Sequence, residues 1–210
     1  YANWLLRWKF HQKVSWLIWE NAMSNTLDNA FVFYSRHIYD EEKINLLRSH
    51  NLKVAGHVPS VLWELFGSIL TGRRGNGVTG ADLQGWEVKS SALRSAYEYQ
   101  YHLNTGEAKL LEDCEVNHLF CSYSTDYRDL VVKAIPGSAL KEPFFDAWLP
   151  DYRANYDRTV GSASRRQRFR KSISYGFVQE HGRTILEVRS GEIYSRNDSL
   201  LDEFNRLVAS

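Results

Sequence analysis

Two short apolar runs in the middle of the chain, His118–Tyr123 (HLFCSY) and Leu130–Ile135 (LVVKAI), restrict its fold more than any other feature. Each is too short for a self-sufficient helix and is rich in the β-branched and aromatic side chains that suit a pleated surface. Both therefore read as strands, joined by the turn-rich Ser124–Asp129 and ended by Pro136-Gly137. The flanking segments have helical spacing instead. Pro59 and Ser60 open a helix whose apolar face is Val61, Leu62, Leu65, Ile69 and Leu70, and Gly72 closes it. Asp40 reads as the N-cap of another helix through Ile44, Leu46 and Leu47. Strands embedded among helices predict an α/β chain with a mixed central β-sheet flanked by helices.

The ends extend this plan. Residues 4–22 read as an N-terminal helix in which Trp4, Trp8, Trp16 and Trp19 form a packed face. Asn104 or Thr105 opens a helix through Glu107, Leu110 and Leu111. Tyr175–Val178 and Thr184–Val188 read as a hairpin across His181-Gly182, before a final helix from Asp198 to Val208. We take 1–210 as one domain: a helical part over 1–58, a core over 59–137 and a C-terminal part over 138–210. A hydrophobic content of 43% excludes a disordered chain, and no apolar run approaches the ~20 residues that span a bilayer. Cys114 and Cys121 are too few for a disulfide scaffold and suit a reducing cytoplasm.

The chemistry concentrates in Gly80–Ser91 (GADLQGWEVKSS). Strand alternation puts Glu87 and Lys89 on one face and turns Val88 into the core. If Gln84-Gly85 is a two-residue turn, Leu83 pairs with Trp86 and Asp82 lies opposite Glu87, with Cβ atoms ~5 Å apart. Two carboxylates so placed repel unless a cation lies between them, and hard oxygen ligands with open positions suit Mg²⁺. Lys89 beside them would hold or help deprotonate a water, as phosphodiester hydrolysis needs. The alternative for the same three residues is a solvated strand face, with Glu87 and Lys89 an exposed ion pair worth little. The preceding Arg73-Arg74-Gly75-Asn76-Gly77 has neither dinucleotide nor Walker spacing; it reads either as a flexible loop or as two arginines placed for phosphate.

Asp82 followed by Glu87-Val88-Lys89 resembles the D…(D/E)-x-K core of the PD-(D/E)xK nuclease superfamily, type II restriction endonucleases in particular. Ala81 stands where the motif's name has proline, and the spacing from Asp82 to Glu87 is at the tight end. The resemblance covers residues 59–137 and implies a restriction-endonuclease-like core, with Asp82 and Glu87 holding Mg²⁺, Lys89 serving the water, and Glu64 as a further acid on the preceding helix. It also implies a sequence-specific endodeoxyribonuclease, and a homodimer on double-stranded DNA because cutting both strands takes two sites. The alternatives are a structure-selective, transposition or repair nuclease with the same motif, or a DNA-binding module whose acidic hairpin is inert.

A nearly neutral chain, with 26 Lys and Arg against 25 Asp and Glu, can bind DNA only through local charge. Arg165, Arg166, Arg168, Arg170 and Lys171 form such a cluster in a basic C-terminal hairpin region, and Arg73, Arg74 and Arg94 add to it near the hairpin. Gln100 and His102 read first as packed or exposed polar residues, with the lining of a nucleic-acid groove as the alternative, and His118 reads as a satisfied structural histidine. No HExxH or Gly-x-Ser-x-Gly pattern supports a zinc or serine hydrolase.

Overall fold

A computed structural model describes residues 25–54, 58–77, 80–103, 105–157, 159, 161 and 168–208. The tryptophan-bearing segment 4–22, Arg165 and Arg166 lie outside these residues.

Helices α1 (Thr26–Phe33), α2 (Glu41–Ser49) and α3 (Ser60–Thr71) come first. Asn25 caps α1 by accepting from Leu27 N, and Asp40 caps α2 by accepting from Lys43 N. Gly72 ends α3 at φ +69°, a left-handed stop that costs glycine least. Then follow β1 (Trp86–Ala92), β2 (Tyr97–His102), α4 (Gly106–Asp113), β3 (Asn117–Tyr123) and β4 (Leu130–Pro136). The last third holds α5 (Gly137–Leu140), α6 (Asp146–Asn155), β5 (Arg168–Ile173), α7 (Tyr175–His181), β6 (Arg183–Arg189), β7 (Glu192–Arg196) and α8 (Asp198–Leu207).

Five strands form a mixed sheet in the order β1-β3-β4-β6-β7, parallel between β1 and β3 and antiparallel elsewhere. Every residue of β3 is buried, as expected of a strand covered on both faces. Its Leu119, Cys121 and Tyr123 join a core with Trp63 and Phe66 of α3 and Phe204 of α8. Phe120 faces a second core built from Tyr97, Tyr99 and Tyr101 of β2, Phe169 of β5 and Trp148 of α6. Strands β2 and β5 pair antiparallel as a separate ribbon over that second core. Among the described residues, no helix is long and apolar enough to cross a membrane.

Three expectations change. The hairpin read over Asp82–Ser91 closes, but only as a single pair, Leu83 with Trp86. The long partner of β1 is β3, a pairing that brings the Val88 and Leu119 side chains into the same core. Tyr175–Val178 is helical, since Ser174 accepts from Phe177 N and nucleates a turn. The C-terminal hairpin is instead β6 with β7, turning at Ser190-Gly191, where φ is +52° and +84°. Two consecutive positive φ values are the signature of a type I′ turn, whose twist matches that of the strands it joins. The basic strand β5 pairs with β2 and not within a C-terminal hairpin.

Candidate active site

The turn that carries the site is held from three sides. Leu83 N donates to Trp86 O at 2.9 Å and Trp86 N returns to Leu83 O at 3.1 Å. Gly85 takes φ +75°, the value the second central residue of a type II turn requires. The glycine-rich connector does not hang free beside it. Gln84 N donates to Arg74 O at 2.9 Å, and the Asn76 amide donates to the carbonyls of Ala81 and Leu83, both at 3.1 Å. From α8, Asn205 accepts from the Trp86 indole at 3.1 Å and donates to Thr71 O at 3.0 Å. One side chain thus ties the end of α3 to the start of β1.

This frame sets the two acids facing each other. Asp82 N donates to Glu87 Oε2 at 3.2 Å, and Val88 N donates to Asp82 Oδ2 at 2.9 Å. Glu87 and Lys89, two apart on β1, share a face, and Lys89 Nζ lies 2.6 Å from Glu87 Oε1. Val88 turns the other way, against α3. A Cβ on Gly67 would come within 2.8 Å of its Cγ2, so glycine there lets α3 lie close on β1 and brings Glu64 to the same opening. Glu64, Asp82, Glu87, Lys89, Gln100 and His102 all line one cleft of about 980 Å³.

The structure adds residues that the motif does not contain. Lys109, on α4, donates to Glu87 Oε2 at 2.7 Å and also to Asp113 one helical turn away. Asp113 is fully buried and accepts from the Tyr101 hydroxyl at 2.8 Å. Tyr99 donates its hydroxyl proton to His118 Nδ1 at 2.8 Å, and His118 Nε2–H donates to Asp113 O at 2.7 Å. That same Tyr99 ring sits 4.7 Å from Lys89 Nζ, a cation–π contact. His118 is the satisfied structural histidine expected of it, and burial depresses its pKa to about 4, keeping it neutral.

Electrostatics single out the acid pair. Burial and then the neighbouring Glu87 push Asp82 up to about 7. Burial alone would raise Glu87 too, but Lys89 and Lys109 outweigh it and hold that carboxyl at about 2. Burial and Glu87 likewise raise Asp113 to about 6, against the pull of Lys109. An acid whose pKa is raised by burial and by an ionised acid beside it belongs to a pair that a further positive charge would stabilise. Among the described residues, no three His, Cys, Asp or Glu side chains gather into a metal cage. Asp82 and Glu87 would offer a cation two hard carboxylates at an open cleft, a set suited to Mg²⁺, which keeps several waters, and not to a soft or fully caged metal.

The basic residues separate. Arg168 and Arg170 stand on the exposed face of β5, in register with His102 and Gln100 of β2, so the ribbon carries two arginines beside the cleft wall. Arg170 also lies 3.6 Å from Glu98, and Lys171 pairs with Asp151 at 2.6 Å. Arg73 donates to Asn205 O at 2.8 Å, a tie between the connector and α8. Arg74 and Arg94 are exposed. Lys109 and Asp113 left a signal in the sequence, an i,i+4 pair of opposite charge, and Tyr97, Tyr99 and Tyr101 left a period-two strand pattern. No protein-family model matches the chain, and no curated protein is detectably similar to it.

Proposed function

We propose that the chain is a Mg²⁺-dependent endodeoxyribonuclease of the PD-(D/E)xK type with a restriction-endonuclease-like core, hydrolysing phosphodiester bonds of double-stranded DNA at a defined sequence. The observation that carries this reading is the convergence of Asp82, Glu87 and Lys89 at the wall of one open cleft, with Glu64 on the adjoining helix. Asp82 and Glu87 would hold Mg²⁺, which when bound supplies charge neutralisation at the phosphate and at the departing oxygen. Lys89, fixed between Glu87 and the Tyr99 ring, donates hydrogen bonds to the attacking water or to a non-bridging phosphate oxygen. The Val88 N–H bond to Asp82 and the turn at Gly85 keep the carboxylate from swinging away, so the site is built before substrate arrives.

The β2–β5 ribbon supplies the phosphate contacts. Arg168 and Arg170 lie along the edge of the cleft as guanidiniums suited to a DNA backbone, and Gln100 and His102 beside them can meet base edges. Cutting both strands takes two such sites, so a homodimer on a two-fold symmetric sequence completes the reading.

The experiment is incubation of supercoiled and linear plasmid with the protein in Mg²⁺, in EDTA, and with Lys89→Ala. Discrete fragments that require Mg²⁺ and are lost with Lys89→Ala are the expected result. Duplex binding without cutting in any divalent metal, by folded wild-type protein, sinks the enzymatic reading and leaves a DNA-binding module.

A further inference from the structure

Glu87 is ion-paired on both oxygens, to Lys89 through Oε1 and to Lys109 through Oε2. The two lysines are not equivalent. Lys89 follows Glu87 on the same strand and belongs to the motif, whereas Lys109 reaches in from α4 and holds a second carboxylate, Asp113. Asp113 is 0% exposed and is itself fixed by the Tyr101 hydroxyl, so it stays in place whatever Lys109 does. Lys109 therefore has a buried anionic partner waiting on one side and a candidate cation ligand on the other. Its side chain, 17% exposed, lines the cleft, and its ammonium sits on an oxygen that a divalent cation would need.

We infer that Lys109 is an internal counter-cation for the site: it occupies Glu87 Oε2 in the metal-free protein, is displaced by the arriving divalent cation, and retires onto Asp113. The exchange keeps Glu87 charge-balanced at every stage and avoids leaving a bare carboxylate buried, which is costly. It also makes cation affinity depend on a competitor that sits on a helix outside the motif. This inference rests on the proposed metal site and concerns how readily that site takes its cation.

Opposite signs follow for two substitutions. Lys109→Met removes the competitor, so Mn²⁺, used as the paramagnetic probe in place of Mg²⁺, binds about tenfold tighter, the worth of one charge-assisted hydrogen bond. Asp113→Asn removes the retreat and leaves Lys109 only Glu87 to pair with, so Mn²⁺ binds about tenfold more weakly. Simple through-space charge predicts the same two signs. The double variant Lys109→Met/Asp113→Asn separates the explanations, because displacement gives Asp113 no effect once Lys109 is gone, whereas its charge acts through space with or without Lys109. It also leaves no buried charge unpaired, so it tolerates folding where a single variant does not. Displacement predicts that the double variant keeps the full tightening of Lys109→Met, whereas charge alone gives back part of it.

The experiment is a Mn²⁺ titration followed by electron paramagnetic resonance, without DNA, on wild type and the three variants, with thermal melts as a folding check. Binding by the double variant as tight as by Lys109→Met supports displacement. Binding by the double variant that is clearly weaker than by Lys109→Met overturns displacement while leaving the metal site intact. Absence of Mn²⁺ binding in all four proteins overturns both the metal site and the role of Lys109.

Discussion

Replacing His118 with glutamine offers a quantitative test of how the floor of the cleft is assembled. The ring is fully buried, donates through Nε2 to Asp113 O and accepts at Nδ1 from Tyr99, so a second proton has no acceptor to meet. Burial accordingly lowers its pKa from 6.5 to about 4. Above pH 6.5 the imidazole is neutral in folded and unfolded chains and contributes no pH dependence. Between pH 6.5 and 4 the unfolded chain takes up a proton that the folded chain refuses, so stability falls as pH falls. Below pH 4 both states are protonated and the loss saturates. At about 1.36 kcal/mol per pKa unit, the loss between about pH 7.5 and about pH 4.5 amounts to about 2.5 kcal/mol. His118→Gln keeps a donor and an acceptor but cannot titrate. Urea melts at the two pH values, on wild type and variant, isolate the histidine, because the raised Asp82 and Asp113 are present in both proteins and cancel in the difference. The wild type should lose about 2.5 kcal/mol more than the variant on acidification. Equal losses, within about 0.5 kcal/mol, would mean that His118 accepts a proton in the fold and that the network drawn around it is wrong.

Three other outcomes follow. Gly67→Ala places a methyl 2.8 Å from Val88 Cγ2; overpacking of about 1–3 kcal/mol exceeds the roughly 1 kcal/mol an alanine gains in a helix interior, so the urea midpoint falls. Adding Val88→Ala should recover part of that loss. Tyr101→Phe takes from buried Asp113 its phenol donor and costs about 1–2 kcal/mol, read as a lower melting temperature. Arg168→Ala and Arg170→Ala together should weaken duplex binding and reduce the log–log salt slope by about 2, near one unit per phosphate contact, in fluorescence anisotropy at several salt concentrations. An unchanged slope removes the ribbon from the DNA-binding face.

The parts of this molecule that local rules govern are legible in the chain. Pro59 and Gly72 bound α3, Asp40 caps α2, and the runs at His118 and Leu130 are β3 and β4, each within a residue or two of expectation. Likewise local is the Gln84-Gly85 turn, which is why the spacing of the sequence is enough to bring Asp82 beside the Glu87 carboxylate, although the strand pairing ends at Leu83 and Trp86. What local rules miss is tertiary partnership. Neither periodicity nor charge in Tyr97–His102 says that this strand leaves the main sheet to pair with the distant Arg168–Ile173. Nothing in the spacing of Lys109 says that its ammonium reaches Glu87. Tyr175–Val178 misleads for a different reason: an apolar tetrad fits strand and helix equally, and the Ser174 cap decides. Arg73 reads as readily for phosphate as for a plain loop because its tie to Asn205 is made across the fold.

The nuclease reading rests most heavily on Asp82, and the decisive quantity is the single-turnover cleavage rate of Asp82→Asn in Mg²⁺ on an end-labelled duplex cut by the wild type. Asparagine can still accept from Val88 N and preserves the turn, so folding and metal-free DNA binding should persist and only the anionic ligand is lost. A fall of at least about 100-fold is expected, comparable to removing one preorganised electrostatic group from a transition state. Cleavage at the wild-type rate by a folded, DNA-bound Asp82→Asn would contradict a metal site built on this carboxylate.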